Sequence, residues 1–240
     1  MNYELLVKLI CAHLISDFLF QNKWMCEQKK CLKTINGWMV QVLHTLIHSL
    51  MAYLLVAQWT CWLIPLIIFV SHFVIDVCKA VIGKDGMWTF IFDQVAHLVV
   101  ILFLFYLYVG HTFNFLQIPD NLWILMVAYI LILKPSSIFI EMFYKRWINK
   151  STISQKDNKQ QKSLPNAGKY IGYLERILIV TFMLCGSLEG IGFLLAAKSV
   201  FRFGDLQKSE DVQSTEYVLI GTFLSFAIAV IIGLMAKMIL

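Results

Sequence analysis

Apolar residues in this chain come in long runs, without the alternation of a half-buried strand. Seven stretches, at about residues 3–21, 38–57, 61–82, 88–109, 122–143, 171–201 and 217–239, are dominated by Leu, Ile, Val and Phe. A helix needs roughly 20 apolar residues to cross a hydrocarbon core, and most of these runs have that length. Membrane β-strands would show a repeated alternation over about 10 residues instead. In lipid the backbone must satisfy its own hydrogen bonds, so continuous runs of this kind predict helices. The expected fold is an all-α, polytopic membrane protein with about seven transmembrane helices. Lys134-Pro135 predicts a kink or break inside the fifth run. The sixth run is interrupted by Glu175, Arg176, Gly186, Glu189, Gly190 and Gly192. It reads as one long helix or as two shorter ones broken near Gly186.

The polar segments divide the chain. Residues 22–37 carry Lys23, Trp24, Lys29, Lys30 and Lys33 and have the composition of an interfacial segment. Gln58-Trp59-Thr60 and Gly83-Lys84-Asp85-Gly86 are turns by composition. Lys145, Arg146, Lys150, Lys156, Lys159, Lys162 and Lys169 crowd one stretch against a single Asp157. Three parts follow: an N-terminal membrane bundle at 1–143, a basic linker at 144–169 and a C-terminal membrane unit at 170–240. Lys and Arg concentrate in cytoplasmic loops, which puts the basic linker in the cytoplasm and the N-terminus outside. The loops at 22–37 and 83–87 then share the cytoplasmic side and carry Lys. The loops at 58–60 and 110–121 fall outside and carry neither Lys nor Arg. A single sixth helix would leave Lys198, Arg202 and Lys208 outside, whereas a broken hairpin would return them.

Composition agrees with the pattern. Only 15% of the 240 residues are charged, against about 25% in a soluble domain. The net charge of +5 is that of membrane topology, and no nucleic acid is expected as a partner. The six cysteines are scattered without a CxxC motif and read as buried thiols rather than a disulfide frame. The first apolar run lacks a preceding basic stretch and carries His13 and Asp17, the pattern of a retained helix rather than a cleaved leader.

Candidate chemistry lies in the first four runs. His13 and Asp17, His44 and His48, His72 and Asp76, and Asp93 and His97 are four pairs of metal-capable residues, each pair four residues apart. Five of the chain's six histidines are in these pairs. Residues i and i+4 share a helix face, so each helix can turn both side chains inward. Helix direction alternates, and at 1.5 Å per residue all eight fall roughly 6–15 Å below the cytoplasmic boundary. His13, His48, His72 and His97 form the deeper tier; Asp17, His44, Asp76 and Asp93 form the shallower one. An aspartate in a helix centre costs about 2.5–3.5 kcal/mol on insertion scales. No Lys or Arg is expected at that depth, although Lys79 lies one turn from Asp76, in a position that suits snorkelling to the interface. A divalent cation would offset the charge and bind the imidazoles. Four-helix bundles hold two metals in this way. Two Zn²⁺ ions are the expected cofactor, and Mn²⁺ or Fe²⁺ fit the same donors.

These words resemble an uncharacterised bacterial membrane-protein family known only as a domain of unknown function. The likeness rests on His13-Leu-Ile-Ser-Asp17-Phe-Leu-Phe-Gln21 with Trp24, on His44/His48, on His72/Asp76/Lys79 and on Asp93-Gln94/His97. It extends to Gly168-Lys-Tyr-Ile-Gly-Tyr-Leu-Glu175-Arg176, to Ala196-Ala-Lys-Ser199 with Arg202, and to Glu216-Tyr-Val-Leu-Ile-Gly-Thr222, so it covers most of the chain outside 142–167. It implies a bacterial inner-membrane protein. More distantly, the His-x-x-x-Asp words are similar to bacterial membrane-bound metal-dependent hydrolases, which implies hydrolysis and names no substrate.

The expected function is a dinuclear metal-dependent hydrolase in the cytoplasmic leaflet. Its substrate would be lipid-linked, a phosphoester or an unwound membrane peptide, with Asp17 or Asp93 as an unligated general base. The alternatives are a protein that translocates or senses metal or protons, and a scaffold with a structural metal site. Glu175, Arg176, Glu189, Lys198, Arg202 and Glu216 of the second unit either pair structurally and face headgroups, or line a substrate vestibule. No nucleotide loop, nucleophile elbow or His-Glu-x-x-His motif is present in the sequence.

Overall fold

A computed structural model describes residues 3–83, 86–108, 119–147, 167–206 and 212–240. The middle of the expected basic linker, 148–166, and most of the loop at 110–121 lie outside the described residues. The described secondary structure is helical. It begins with α1 (Tyr3–Leu14), which runs into a π-helical segment (Ile15–Phe20), followed by α2 (Lys23–Lys29), α3 (Ile35–Val56), α4 (Leu63–Ile82) and α5 (Met87–Tyr108). Then come α6 (Asp120–Ile132), α7 (Lys134–Trp147), α8 (Ala167–Cys185), α9 (Leu188–Leu206) and α10 (Val212–Ile239). Two compact units result, Met1–Val127 and Ala128–Leu240.

The protein is a polytopic helical membrane protein. Among the described residues, five helical segments are long and apolar enough to cross a membrane: Ile35–Val56, Leu63–Ile82, Met87–Tyr108, Asn121–Lys145 and Leu219–Ile239. The remaining long helices carry internal charge, at Glu4 and Lys8 in α1, Glu175 and Arg176 in α8, and Glu189 and Lys198 in α9. The first unit is polar inside and apolar outside. On α3, Gln41, His44, Thr45 and His48 are buried while Val42, Leu43, Leu46, Leu50 and Leu54 are exposed. That inversion suits a lipid solvent, in which apolar side chains gain nothing by hiding. Exposed tryptophans mark both ends: Trp24, Trp38 and Trp88 at one, Trp59 and Trp62 at the other, as in an interfacial aromatic belt.

Four helices of this unit close into a ring. α1 packs on α3 and α5, α3 on α4, and α4 on α5. Toward the Trp59 end the ring is filled by Leu5, Leu9, Ala12, Ala52, Val56, Ile64, Ile101 and Leu104. Ser49 Oγ donates to Pro65 O at 2.8 Å, tying α3 to the first turn of α4. Lys8 of α1 is also buried, 2.7 Å from Glu4 and over the Trp123 ring. Hydropathy alone hides such a charge inside an apolar run.

The first apolar run is therefore not one regular helix. Beyond Leu14 the backbone widens, and Gln21 N–H donates to Ser16 O, five residues back, at 3.2 Å. Ser16 Oγ donates to Ala12 O at 2.8 Å. The chain then turns back as α2, capped by Asn22 Oδ1, which accepts from Met25 N–H at 2.8 Å. The end of α2 lies directly on α3: a Cβ at Gly37 would fall 2.2 Å from Cys31 O, so only glycine permits this approach. All six cysteines are free, and of these Cys11 alone is fully buried, so the expectation of buried thiols holds for that one residue.

In the second unit the expected break at Lys134-Pro135 is present, and the chain repairs it with side chains. Proline has no N–H to donate to Leu131 O; Ser136 Oγ does so instead, at 2.6 Å. The next carbonyl, Ile132 O, accepts from Arg176 Nε at 2.5 Å, while the two terminal nitrogens of Arg176 donate to Ser225 Oγ at 3.0 Å and Ser137 Oγ at 2.7 Å. Arg176 is thus a buried structural clamp rather than a vestibule residue, and Glu175 pairs with Lys198. The sixth run is two helices. Gly186 has φ +77°, and Ser187 N–H reaches Phe182 O at 2.9 Å, a Schellman ending for α8. Replacing Arg176 by Met should strand the Ile132 carbonyl and both serines at a cost of about 2–4 kcal/mol. A thermal melt in detergent should fall by roughly 5–10 °C; a melt within about a degree of wild type would refute the clamp.

Candidate metal centre

The eight residues singled out by spacing converge. Each helix of the ring supplies one pair: α1 with its π-helical extension gives His13 and Asp17, α3 gives His44 and His48, α4 gives His72 and Asp76, and α5 gives Asp93 and His97. The rings of His48 and His72 stack at 3.6 Å between centroids, and those of His72 and His97 at 3.9 Å. His13 lies 5.1 Å from His97 and 5.4 Å from His48 by the same measure. π-helical turns recur at functional sites because they re-aim a side chain; here the widened turn aims Asp17 into the cluster.

Asp17 Oδ1 is the hub of a first group. It lies 3.1 Å from His48 Nε2, 3.2 Å from His44 Nε2 and 3.8 Å from His72 Nε2, while His44 and His72 Nε2 are 3.3 Å apart. Two ligands on one tetrahedral Zn²⁺, with bonds near 2.0–2.1 Å, would be about 3.3–3.4 Å apart. The four atoms bracket that spacing. Asp17, His44, His48 and His72 can therefore hold a metal ion, and so can a second group, His72, Asp76 and His97.

His13 and Asp93 fall outside both groups. His13 Nε2 is 3.3 Å from Gln94 Oε1 and 3.6 Å from Asp17 Oδ2, and Gln94 Nε2 donates to Asp17 Oδ2 at 3.1 Å. This pair holds the hub carboxylate from behind. Asp93 Oδ1 lies 3.6 Å from His97 Nε2, and neither atom, both buried, has a hydrogen-bond partner in the structure. Asp76 Oδ1 is 3.9 Å from the same nitrogen. Two buried polar atoms that face each other too far apart to bond leave room for a shared cation.

The expectation that no lysine reaches these aspartates is wrong. Lys29 Nζ donates to Asp76 Oδ2 at 2.5 Å and Lys79 Nζ to Asp93 Oδ2 at 2.6 Å. Lys79 turns inward instead of snorkelling outward. Lys29 arrives because α2 folds back onto Gly37, which no periodicity announces. Gln41 Nε2 adds a bond to Asp76 Oδ2 at 3.1 Å. The outer oxygen of each carboxylate is therefore held by an ammonium, and the inner oxygen faces His97. On the opposite side of the imidazoles lies a cavity of ≈ 20 Å³, lined by His13, His48, His72 and His97 together with Ala12, Ser71 and neighbouring apolar residues. That volume admits about one water.

The two groups share His72, whose Nε2 offers one lone pair and so serves one ion at a time. Equilibrium dialysis of the purified protein against Zn²⁺, read by elemental analysis, should find a tightly held ion that survives His97→Ala. The same ion should bind at least about tenfold more weakly in His48→Ala. Equal loss in both variants would contradict two separable groups.

No curated protein and no solved structure matches the chain. A family match covers residues 5–131, which takes in the whole ring, all eight clustered side chains, Lys29 and Lys79. On that match the chain belongs to the family described as "Protein of unknown function (DUF3307)".

Proposed function

We propose that the protein is a membrane-embedded metal-dependent hydrolase, acting on a lipid-linked substrate in the cytoplasmic leaflet of a bacterial inner membrane. The observation that carries this reading is the convergence of eight imidazole and carboxylate side chains inside an apolar bundle, beside a water-sized cavity. The first group has the four protein donors of a closed, structural metal site. With His72 engaged there, the second keeps His97 and Asp76 and so leaves coordination positions open to water or substrate, as a catalytic site does, with Asp93 beside it. We therefore assign the chemistry to the second group.

A divalent ion bound there would lower the pKa of a water to about 7 and polarise a phosphoryl or carbonyl oxygen. Asp17 enters as a ligand rather than as a base, because its Oδ1 faces three imidazole nitrogens. Asp93 is the better base: its Oδ1 is free of hydrogen bonds and its Oδ2 is anchored by Lys79. His13 and Gln94 orient Asp17. The apolar filling between the cluster and the Trp59 end disfavours a conduit through the ring, and so favours hydrolysis over transport.

The test is turnover in liposomes loaded with Zn²⁺, Mn²⁺ or Fe²⁺, against phosphoester and lipid-linked substrates. Hydrolysis should depend on the ion, and Asp93→Asn should lower it by at least about a hundredfold while the first group keeps its ion. Turnover indifferent to chelators, or metal-dependent ion flux with no hydrolysis, would sink this reading.

A further inference from the structure

We propose that Lys29 and Lys79 form an anion-recognition edge of this centre, and that the group they receive is a phosphate, carried by a lipid or free in solution. The inference rests on the metal-dependent reading and names the substrate class for it. It starts from where the two ammoniums sit. They come from different elements, Lys29 from α2 and Lys79 from the last turn of α4. Both lie at the end of the ring marked by Trp24, Trp38 and Trp88. Each contacts only the outer oxygen of its aspartate, leaving the inner oxygen to face His97.

Charge then selects the ligand. Three carboxylates against two ammoniums leave one net negative charge when the imidazoles are neutral, as metal ligands are. One divalent ion turns this to one net positive charge, and two ions to three. A cationic cluster in a low-dielectric bundle needs an anion beside it, and a multiply charged phosphate offsets it better than a carboxylate. A neutral ester or peptide would not offset it at all. An ammonium has three donors and acts as a point-charge phosphate binder. Lys79 can exchange partners most readily, since its side chain is 40% exposed where that of Lys29 is 13% exposed. The edge is open at Lys79 and backed by Lys29.

The experiment is calorimetric titration of inorganic phosphate into the full chain in phosphatidylcholine nanodiscs, metal-loaded and metal-stripped, with metal content measured alongside. Phosphate should bind the loaded protein and bind about tenfold or more weakly in Lys79→Met and in Lys29→Met. Lys79→Arg should stay within about threefold of wild type. Both Met variants should keep their metal or hold it more tightly, because a repelling ammonium has gone. Added phosphatidic acid that competes with inorganic phosphate identifies a lipid as the source; absence of competition identifies a free phosphate. Unchanged phosphate affinity in metal-retaining Met variants would overturn the lysine edge and leave the hydrolase reading intact. Loss of metal in those variants would make the lysines structural supports and overturn it as well. A chain that takes up no divalent ion would overturn both.

Discussion

A carboxylate in a lipid-facing bundle has to find positive charge, and the N-terminal unit is arranged around that need. Asp17, Asp76 and Asp93 sit in helices whose outer faces are Leu, Val and Phe, where an unpaired charge costs several kcal/mol. The structure answers with two kinds of partner. Imidazoles from α3, α4 and α5 gather around Asp17 Oδ1 and the inner oxygens of Asp76 and Asp93, and His13 of α1 lies at Asp17 Oδ2. Ammoniums from α2 and α4 take the outer oxygens of the same two aspartates. The ring, the folded-back α2 and the widened end of α1 all place one of these partners.

Much of this was legible in the chain. Apolar run length predicted helices, and the four-residue spacing put each His and Asp pair on one face. Alternating helix direction brought the pairs to one level; the structure places their Nε2 and carboxylate oxygens within 3.1–3.9 Å of one another along the links that join the two groups. Lys134-Pro135 and Gly186 were readable because proline and a left-handed glycine break helices for local reasons. What hydropathy could not carry was tertiary. Lys29 lies in a polar stretch that reads as interfacial, and its contact with Asp76 depends on Gly37 letting Cys31 O approach. The π-helical turn at Asp17 leaves no mark in a 3.6-residue period. Lys8 is one charge in an apolar run, and its burial beside Glu4 depends on packing.

The second unit obeys the same rule with different groups. There the buried polar group is not a carboxylate but backbone at a helix break: Pro135 removes the donor of Leu131 O, and Ile132 O beside it accepts a side-chain donor as well. Ser136 Oγ and the Arg176 guanidinium supply those donors from inside the unit. An arginine that sequence alone leaves open as a substrate contact is thereby fully engaged, with each of its nitrogens on a named oxygen. Buried polar residues of membrane proteins divide between repair of the backbone and chemistry. The division is read from whether their donors and acceptors are used up.

By that criterion the two units differ. Arg176 has an oxygen partner for each of its three nitrogens, whereas Asp93 Oδ1 and His97 Nε2 face each other without a hydrogen bond. Desolvated polar atoms without partners are expensive, and here the cost falls where cation donors of opposite helices meet. The lysines do not remove it, because they reach only the outer oxygens. The two ammoniums neutralise Asp76 and Asp93 and leave the charge of Asp17 to the imidazoles. Five imidazoles turned toward these carboxylates go beyond the neutralisation of one charge, and their arrangement is one that could hold a metal ion.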